Sequence, residues 1–132
     1  MRKVTGYDRD QALLFRSSIA EALPPDHEIF AFAKFLDTLD LSGFEKKYSH
    51  RGGKIYDPRI ILGILLYGYR RGIRSSRQLS QACVELLPMR YLTAGLHVKF
   101  RAIAYFRVRF EDEIAEVFEF FCDLVLRFAQ GG

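Results

Sequence analysis

Few side chains in these 132 residues stand in spacings that could do chemistry. The three histidines, His27, His50 and His97, are isolated, and no pair has the interval that sets two metal ligands on one helical face. Glu111, Asp112, Glu113, Glu116 and Glu119 form a dense acidic run that in principle offers a cation site or a pair of catalytic carboxylates. They run around a helix whose opposite face is apolar, so a solvated face accounts for them more simply. Ser75 and Ser76 lack a glycine elbow and a nearby histidine, and a helix cap explains Ser75 better than a nucleophile does. The loop Arg51-Gly52-Gly53-Lys54 is glycine-rich and basic, yet no strand precedes it and no Gly-Lys-Ser/Thr follows, as a nucleotide-phosphate loop requires. The expectation is therefore no catalytic residue, no metal and no cofactor. An independent enzyme is the weakest of three function classes, with Glu113 and Glu116 as its only candidates.

The basic side chains are better organised. Net charge is +4, and between Phe44 and Arg77 the bases Lys46, Lys47, Arg51, Lys54, Arg59, Arg70, Arg71, Arg74 and Arg77 face only Glu45 and Asp57. The balance reverses between Glu111 and Asp123, where no base occurs. This polarity favours an acidic partner such as nucleic acid or a membrane surface. Arg70, Arg71, Arg74 and Arg77 cluster at the junction of two expected helices, where phosphates meet free N–H groups and the positive end of a helix dipole. Lys54 lies in the preceding loop. Arg101, Tyr105, Arg107 and Arg109 give a second basic face on a helix suited to a DNA groove. A generic basic surface ion-paired to the acidic segment is the competing account.

The elements that must position these groups are helices. Apolar residues recur at three-and-four spacing almost throughout, so the expected class is all-α, a compact bundle with a helix-turn-helix-like unit and a long C-terminal helix, in a single domain spanning 1–132. Asp10 is a candidate cap for a first helix reaching Leu23, Asp26 precedes a second, and Ser42 opens a short third. Asp57 and Pro58 mark a strong helix start, and the apolar run that follows predicts a central buried helix ended by Gly72. Gly63 and Gly68 within it predict close approach of neighbouring helices. Ser75 and Gln78 form a capping box, Pro88 closes that helix, and Met89 to Leu92 form a short turn of helix before Ala94-Gly95. From Arg101, Ile103, Phe106, Phe110, Ile114, Val117, Phe121, Leu124 and Phe128 predict one continuous helix, with spacing that also suits a coiled-coil seam and with Phe118 and Phe120 widening the apolar surface. That surface must pack on the domain's own core, a second copy, or another domain. Cys83 and Cys122 are expected to be buried free thiols, which points to the cytoplasm. The charged opening residues do not read as a signal peptide, and the longest apolar run, Ile60 to Tyr69, is shorter than the roughly 20 residues a membrane span needs.

Tyr56 to Cys83, YDPRIILGILLYGYRRGIRSSRQLSQAC, resembles the N-terminal domain of bacterial insertion-sequence transposases of the InsH-like, DDE class. The likeness extends upstream to Leu41-Ser42-Gly43-Phe44 and Tyr48-Ser49, and downstream through Met89-Arg90-Tyr91-Leu92-Thr93 to Phe106-Arg107. The resemblance implies a helical domain that binds the terminal inverted repeats of a mobile element as double-stranded DNA, is bacterial and nucleoid-associated, and precedes a ribonuclease-H-like catalytic domain. That catalytic domain is expected to be absent from this chain, and the acidic residues near Glu113 do not correspond to its carboxylates. Where the family has polar residues opening a helix, this chain reads Val98 to Arg107, keeping Ile103, Phe106 and Arg107. Loss of Asp and Ser/Thr caps there predicts a shifted or frayed helix start. The competing functional class is a dimerisation or protein-interaction module working through the Phe-rich C-terminal helix.

Overall fold

Asp57 and Pro58 open the helix around which the rest is built. In the computed structural model, which describes residues 9–48 and 56–131, the chain forms α1 (Arg9–Ala22), α2 (Ile29–Asp37), α3 (Ser42–Tyr48), α4 (Pro58–Arg71), α5 (Ser76–Glu85), α6 (Leu87–Thr93), α7 (Phe100–Arg109) and α8 (Glu111–Gly131), with no strand among the described residues. The Asp57 carboxylate accepts from the Arg59 N–H at 2.9 Å, and proline at the first helical position gives up an N–H that would have had no partner. Pro58 and every residue from Ile60 to Gly68 is buried, so α4 is the central helix that its apolar run predicts. Helices α2 and α6 pack on it, α6 also receives α1 and α5, and α5 packs on α7. Leu62, Ile64 and Leu66 are fully enclosed, each contributing about 1.5–3 kcal/mol through lost water contact.

The glycines of α4 serve the close packing expected of them. A methyl group on Gly63 would lie 3.0 Å from Leu36 Cδ1 of α2 and 3.6 Å from Leu92 Cδ1 of α6. At Gly68 it would overlap Leu79 Cδ2 of α5 and lie 3.0 Å from the Ile73 carbonyl oxygen. Gly72 ends α4 at φ 77°, with its N–H on the Tyr69 carbonyl at 3.2 Å and the Ile73 N–H on the Gly68 carbonyl at 2.8 Å. This paired closure satisfies two carbonyls that the helix end leaves over.

Other helix ends differ from their sequence signals. Asp10 lies inside α1, which begins at Arg9. Helix α2 starts later than Asp26 suggests, because the chain first turns through a bond from the His27 N–H to the Pro24 carbonyl; His27 Nδ1 then accepts from the Ile29 N–H at 3.0 Å. Ser42 opens α3, but Asp40 caps it, accepting from the Ser42 N–H at 3.0 Å, and that bond holds the Asp40 carboxyl below its ordinary range. Two arginines close helix C-termini. Arg59 bonds the Leu36 and Leu39 carbonyls after α2, and Arg16 of α1 bonds the Tyr91 and Leu92 carbonyls of α6 at 3.1 and 3.0 Å.

The continuous C-terminal helix expected from Arg101 is two helices. The chain breaks at Phe110, with φ −119° and ψ 32°. Phe44, Phe106 and Phe110 form one buried aromatic cluster, with centroids 5.6 Å apart for Phe44–Phe106, 5.1 Å for Phe44–Phe110 and 4.7 Å for Phe106–Phe110. Turning there lets α8 swing across α2, where Phe121 meets Phe32 and Phe35 at 5.2 and 5.0 Å. Apolar periodicity passes through the break unaltered. The charges mark it, with Arg107 and Arg109 in the last turn of α7 and Glu111, Asp112 and Glu113 in the first turn of α8, each placed to complement a helix dipole.

Candidate nucleic-acid interface

The two basic segments of the sequence meet where the start of α5 lies beside α7. Ser75 caps α5, its hydroxyl oxygen accepting from the Gln78 N–H at 3.0 Å, as the S-x-x-Q pattern predicts. One residue on, the Ser76 hydroxyl accepts from Arg107 Nη1 at 3.1 Å, tying the last turn of α7 to the first turn of α5. At the other end of α7, the Arg77 guanidinium stacks over the Phe100 ring, 4.0 Å from its centroid, and Arg101 stands 5.9 Å from the same ring. A planar guanidinium held on an aromatic face keeps its N–H edge free for a phosphate or a base edge. Helix α7 begins at Phe100 with Lys99 before it and no side-chain cap, in keeping with the loss of capping residues in this segment.

Three buried side chains of α7 and its end, Ile103, Phe106 and Phe110, leave the opposite face to solvent. That face presents Arg101, Ala104, Tyr105, Val108 and Arg109, all exposed, with Arg109 also 5.9 Å from the Phe110 ring. Arg74, in the turn after α4, shares a hollow of about 310 Å³ with Arg107, floored by Leu65, Tyr69 and Phe118. Arg71 is exposed at the end of α4. Arg70 differs, since its Nε donates to Glu28 at 2.8 Å and its side chain borders a groove against α2 and α8. Lys54 lies outside the described residues. The structure thus brings Arg74, Arg77, Arg101 and Arg107 together, carries Tyr105 and Arg109 on the adjoining face, and turns Arg70 elsewhere. Sequence reasoning missed Phe100 as the platform; an aromatic ring between Lys99 and Arg101 at a helix start was the available signal.

The acidic run is only in part a solvated face. Glu113 is half-buried and pairs with Lys47 of α3, a contact that holds its carboxyl below the ordinary range. No group of three or more His, Cys, Asp or Glu side chains that could hold a metal ion occurs among the described residues. His27 and His97 serve locally, the latter within 3.2 Å of the Ser80 hydroxyl, while His50 lies outside the described residues. The thiols divide. Cys83 is buried, and burial pushes it up to about 11, whereas Cys122, expected to be buried, is exposed because α8 turns Val117, Phe121 and Leu124 inward instead. No described helix is long and apolar enough to cross a membrane.

Beside α8 runs a second, apolar hollow. It has a volume of about 700 Å³ and lies between α8, α2 and the end of α4, with Phe32, Phe35, Tyr69 and Val125 among its walls. Phe120, Val125 and Leu126 stand about half exposed along the same helix.

A family model described as Transposase domain (DUF772) matches residues 17–109, from within α1 to the last residue of α7. No curated protein and no solved structure matches the chain.

Proposed function

From the premise that this chain belongs to the Transposase domain (DUF772) family, we propose that it serves transposition by binding double-stranded DNA at the terminal inverted repeats of a mobile element. The observation that carries the reading is the joining of two basic segments into one surface, through Arg77 on Phe100 and Arg107 on Ser76. Helices α4 and α5 with the turn between them act as the helix-turn-helix-like unit, and Lys54, Arg71, Arg74 and Arg77 contact phosphate. Arg101, Tyr105, Arg107 and Arg109 lie at the groove, while Arg70, engaged with Glu28, contributes field rather than contact. Strand cleavage and transfer belong to a DDE-type catalytic domain outside these residues, and the setting is the bacterial nucleoid.

Fluorescence anisotropy on an inverted-repeat duplex and a random duplex, at several salt concentrations, tests this. Binding should weaken steeply with salt, Arg74→Ala and Arg77→Ala should each lower the salt slope by about one, and Arg101→Ala and Arg107→Ala should narrow the difference in affinity between the two duplexes. Equal affinity for both duplexes defeats inverted-repeat recognition, and no binding at low salt defeats DNA binding altogether.

A second reading, an interaction module working through α8, is favoured by the exposed Phe120, Val125 and Leu126.

A further inference from the structure

Val108 is an apolar side chain for which the bundle has no use. It is 80% exposed on α7, more than Leu14 on α1 at 73%. Helix α7 turns Ile103 and Phe106 inward, and Val108 stands on the side away from the core. A β-branched residue there lowers helix propensity and gains no burial in return. Tyr105, Ala104 and Arg101 precede it by three, four and seven residues, the spacing of one helical stripe, Arg109 follows it, and all four are exposed.

We propose that Val108, with Ala104 one turn earlier, contacts thymine methyl groups in the major groove of double-stranded DNA. The proposal rests on the DNA-binding reading of α7 and adds the base that this helix recognises. Chemical inventory is the first argument. The hydrogen-bonding side chains of α7 are Arg101, Tyr105, Arg107 and Arg109, with no amide to pair with adenine and no carboxylate to accept from cytosine. Guanidinium suits guanine, and an exposed methyl group suits the C5 methyl of thymine. Charge is the second argument and identifies the class of partner. From Val98 to Phe110 the chain carries Lys99, Arg101, Arg107 and Arg109 and no acid. An apolar protein groove would leave these cations uncompensated around Val108, whereas the phosphates bordering a DNA groove neutralise them. An RNA duplex fits poorly, since its major groove is deep and narrow and uracil lacks the methyl. Length is the third. Arg101 and Val108 are seven residues apart, about 10 Å along the helix axis, which spans roughly three base-pair steps. A helix lying along the groove therefore sets a guanine near Arg101 and a thymine about three steps away near Val108.

The test is selection by the whole chain from short duplexes of randomised sequence, followed by fluorescence anisotropy on the selected duplex with its thymines replaced singly by deoxyuridine. That replacement removes one methyl group and leaves every hydrogen-bonding edge in place. At one shared thymine the wild type should lose about fourfold in affinity, the worth of one buried methyl group. Val108→Ala should lose a similar factor on the thymine duplex and be indifferent to deoxyuridine at that position. Alanine favours helix at this exposed site, so circular dichroism of the variant should match the wild type. Leu14→Ala should retain the full deoxyuridine effect. Binding without a shared thymine, or a deoxyuridine effect that Val108→Ala leaves intact, overturns the role of Val108 while DNA binding stands. No binding to the pool at low salt overturns this proposal and the DNA reading together.

Discussion

The same substitution, glycine to alanine, should change the stability of this protein in opposite directions at different positions. In a helix interior the change is worth about 1 kcal/mol in favour of alanine, because glycine gives up more backbone freedom on folding. At Gly43, in the first turn of α3, nothing lies within 4 Å of the added carbon, and a gain of about 0.5 kcal/mol should remain. At Gly63 the new methyl meets Leu36 Cδ1 at 3.0 Å, the end of a side chain that can shift by a few tenths of an ångström. Gain and crowding should nearly cancel, leaving a net change within about 0.5 kcal/mol of zero. At Gly68 the overlap with Leu79 is compounded by the Ile73 carbonyl at 3.0 Å, which is backbone in the turn that closes α4. Overpacking of about 2–3 kcal/mol should outweigh the helical gain, for a net loss of about 1–2 kcal/mol. Gly72 has open space around it but φ 77°, so alanine there should cost about 1 kcal/mol through backbone strain alone. Urea unfolding followed by circular dichroism, with thermal midpoints shifting by about 4 °C per kcal/mol, resolves this order. A Gly68→Ala variant with a midpoint at or above the wild type would refute the packing argument at the α4–α5 crossing.

Two further outcomes follow from the titratable groups. In native protein a thiol reagent near neutral pH should modify the exposed Cys122 quickly and reach Cys83 only on unfolding, since Cys83 is enclosed and pushed up to about 11; equal native rates for the two would contradict its burial. Glu113 has its folded pKa lowered by Lys47, so its contribution to stability is present above the ordinary value of 4.5 and is lost as pH falls through the folded value. Because the pair is partly exposed, Glu113→Gln should cost about 1 kcal/mol or less near neutral pH and nothing at the acid end; a cost that does not change with pH removes the ion pair as its cause.

Much of the fold was legible because its signals are local. Asp57-Pro58, Ser75 with Gln78, and Gly72 each act on backbone groups within a few residues, so their types announce the helix ends they make. Signals that act through distance were not. His27 caps α2 in place of Asp26 because Pro24 and Pro25 set the preceding turn, and the break at Phe110 turns α8 back onto α2, where Phe121 meets Phe32 and Phe35, residues far back in the chain. Amphipathic spacing is blind to such a break, whereas the reversal from Arg109 to Glu111 records it. Among the basic residues, composition identified the segments but not their employment. Arg59 is occupied with carbonyls at the end of α2 and Arg70 with Glu28, while Arg77 and Arg101 come together only through Phe100.

The clasp of Arg16 on the end of α6 has a kinetic consequence. Its acceptors are two carbonyls in the last turn of α6 that stand side by side only once that helix has formed, and they lie 75 and 76 residues along the chain. Closing so long a loop costs entropy before any bond repays it. Helix α1 therefore has no seat until the middle of the chain has ordered, which makes its docking a late event in folding and the lock that completes the bundle.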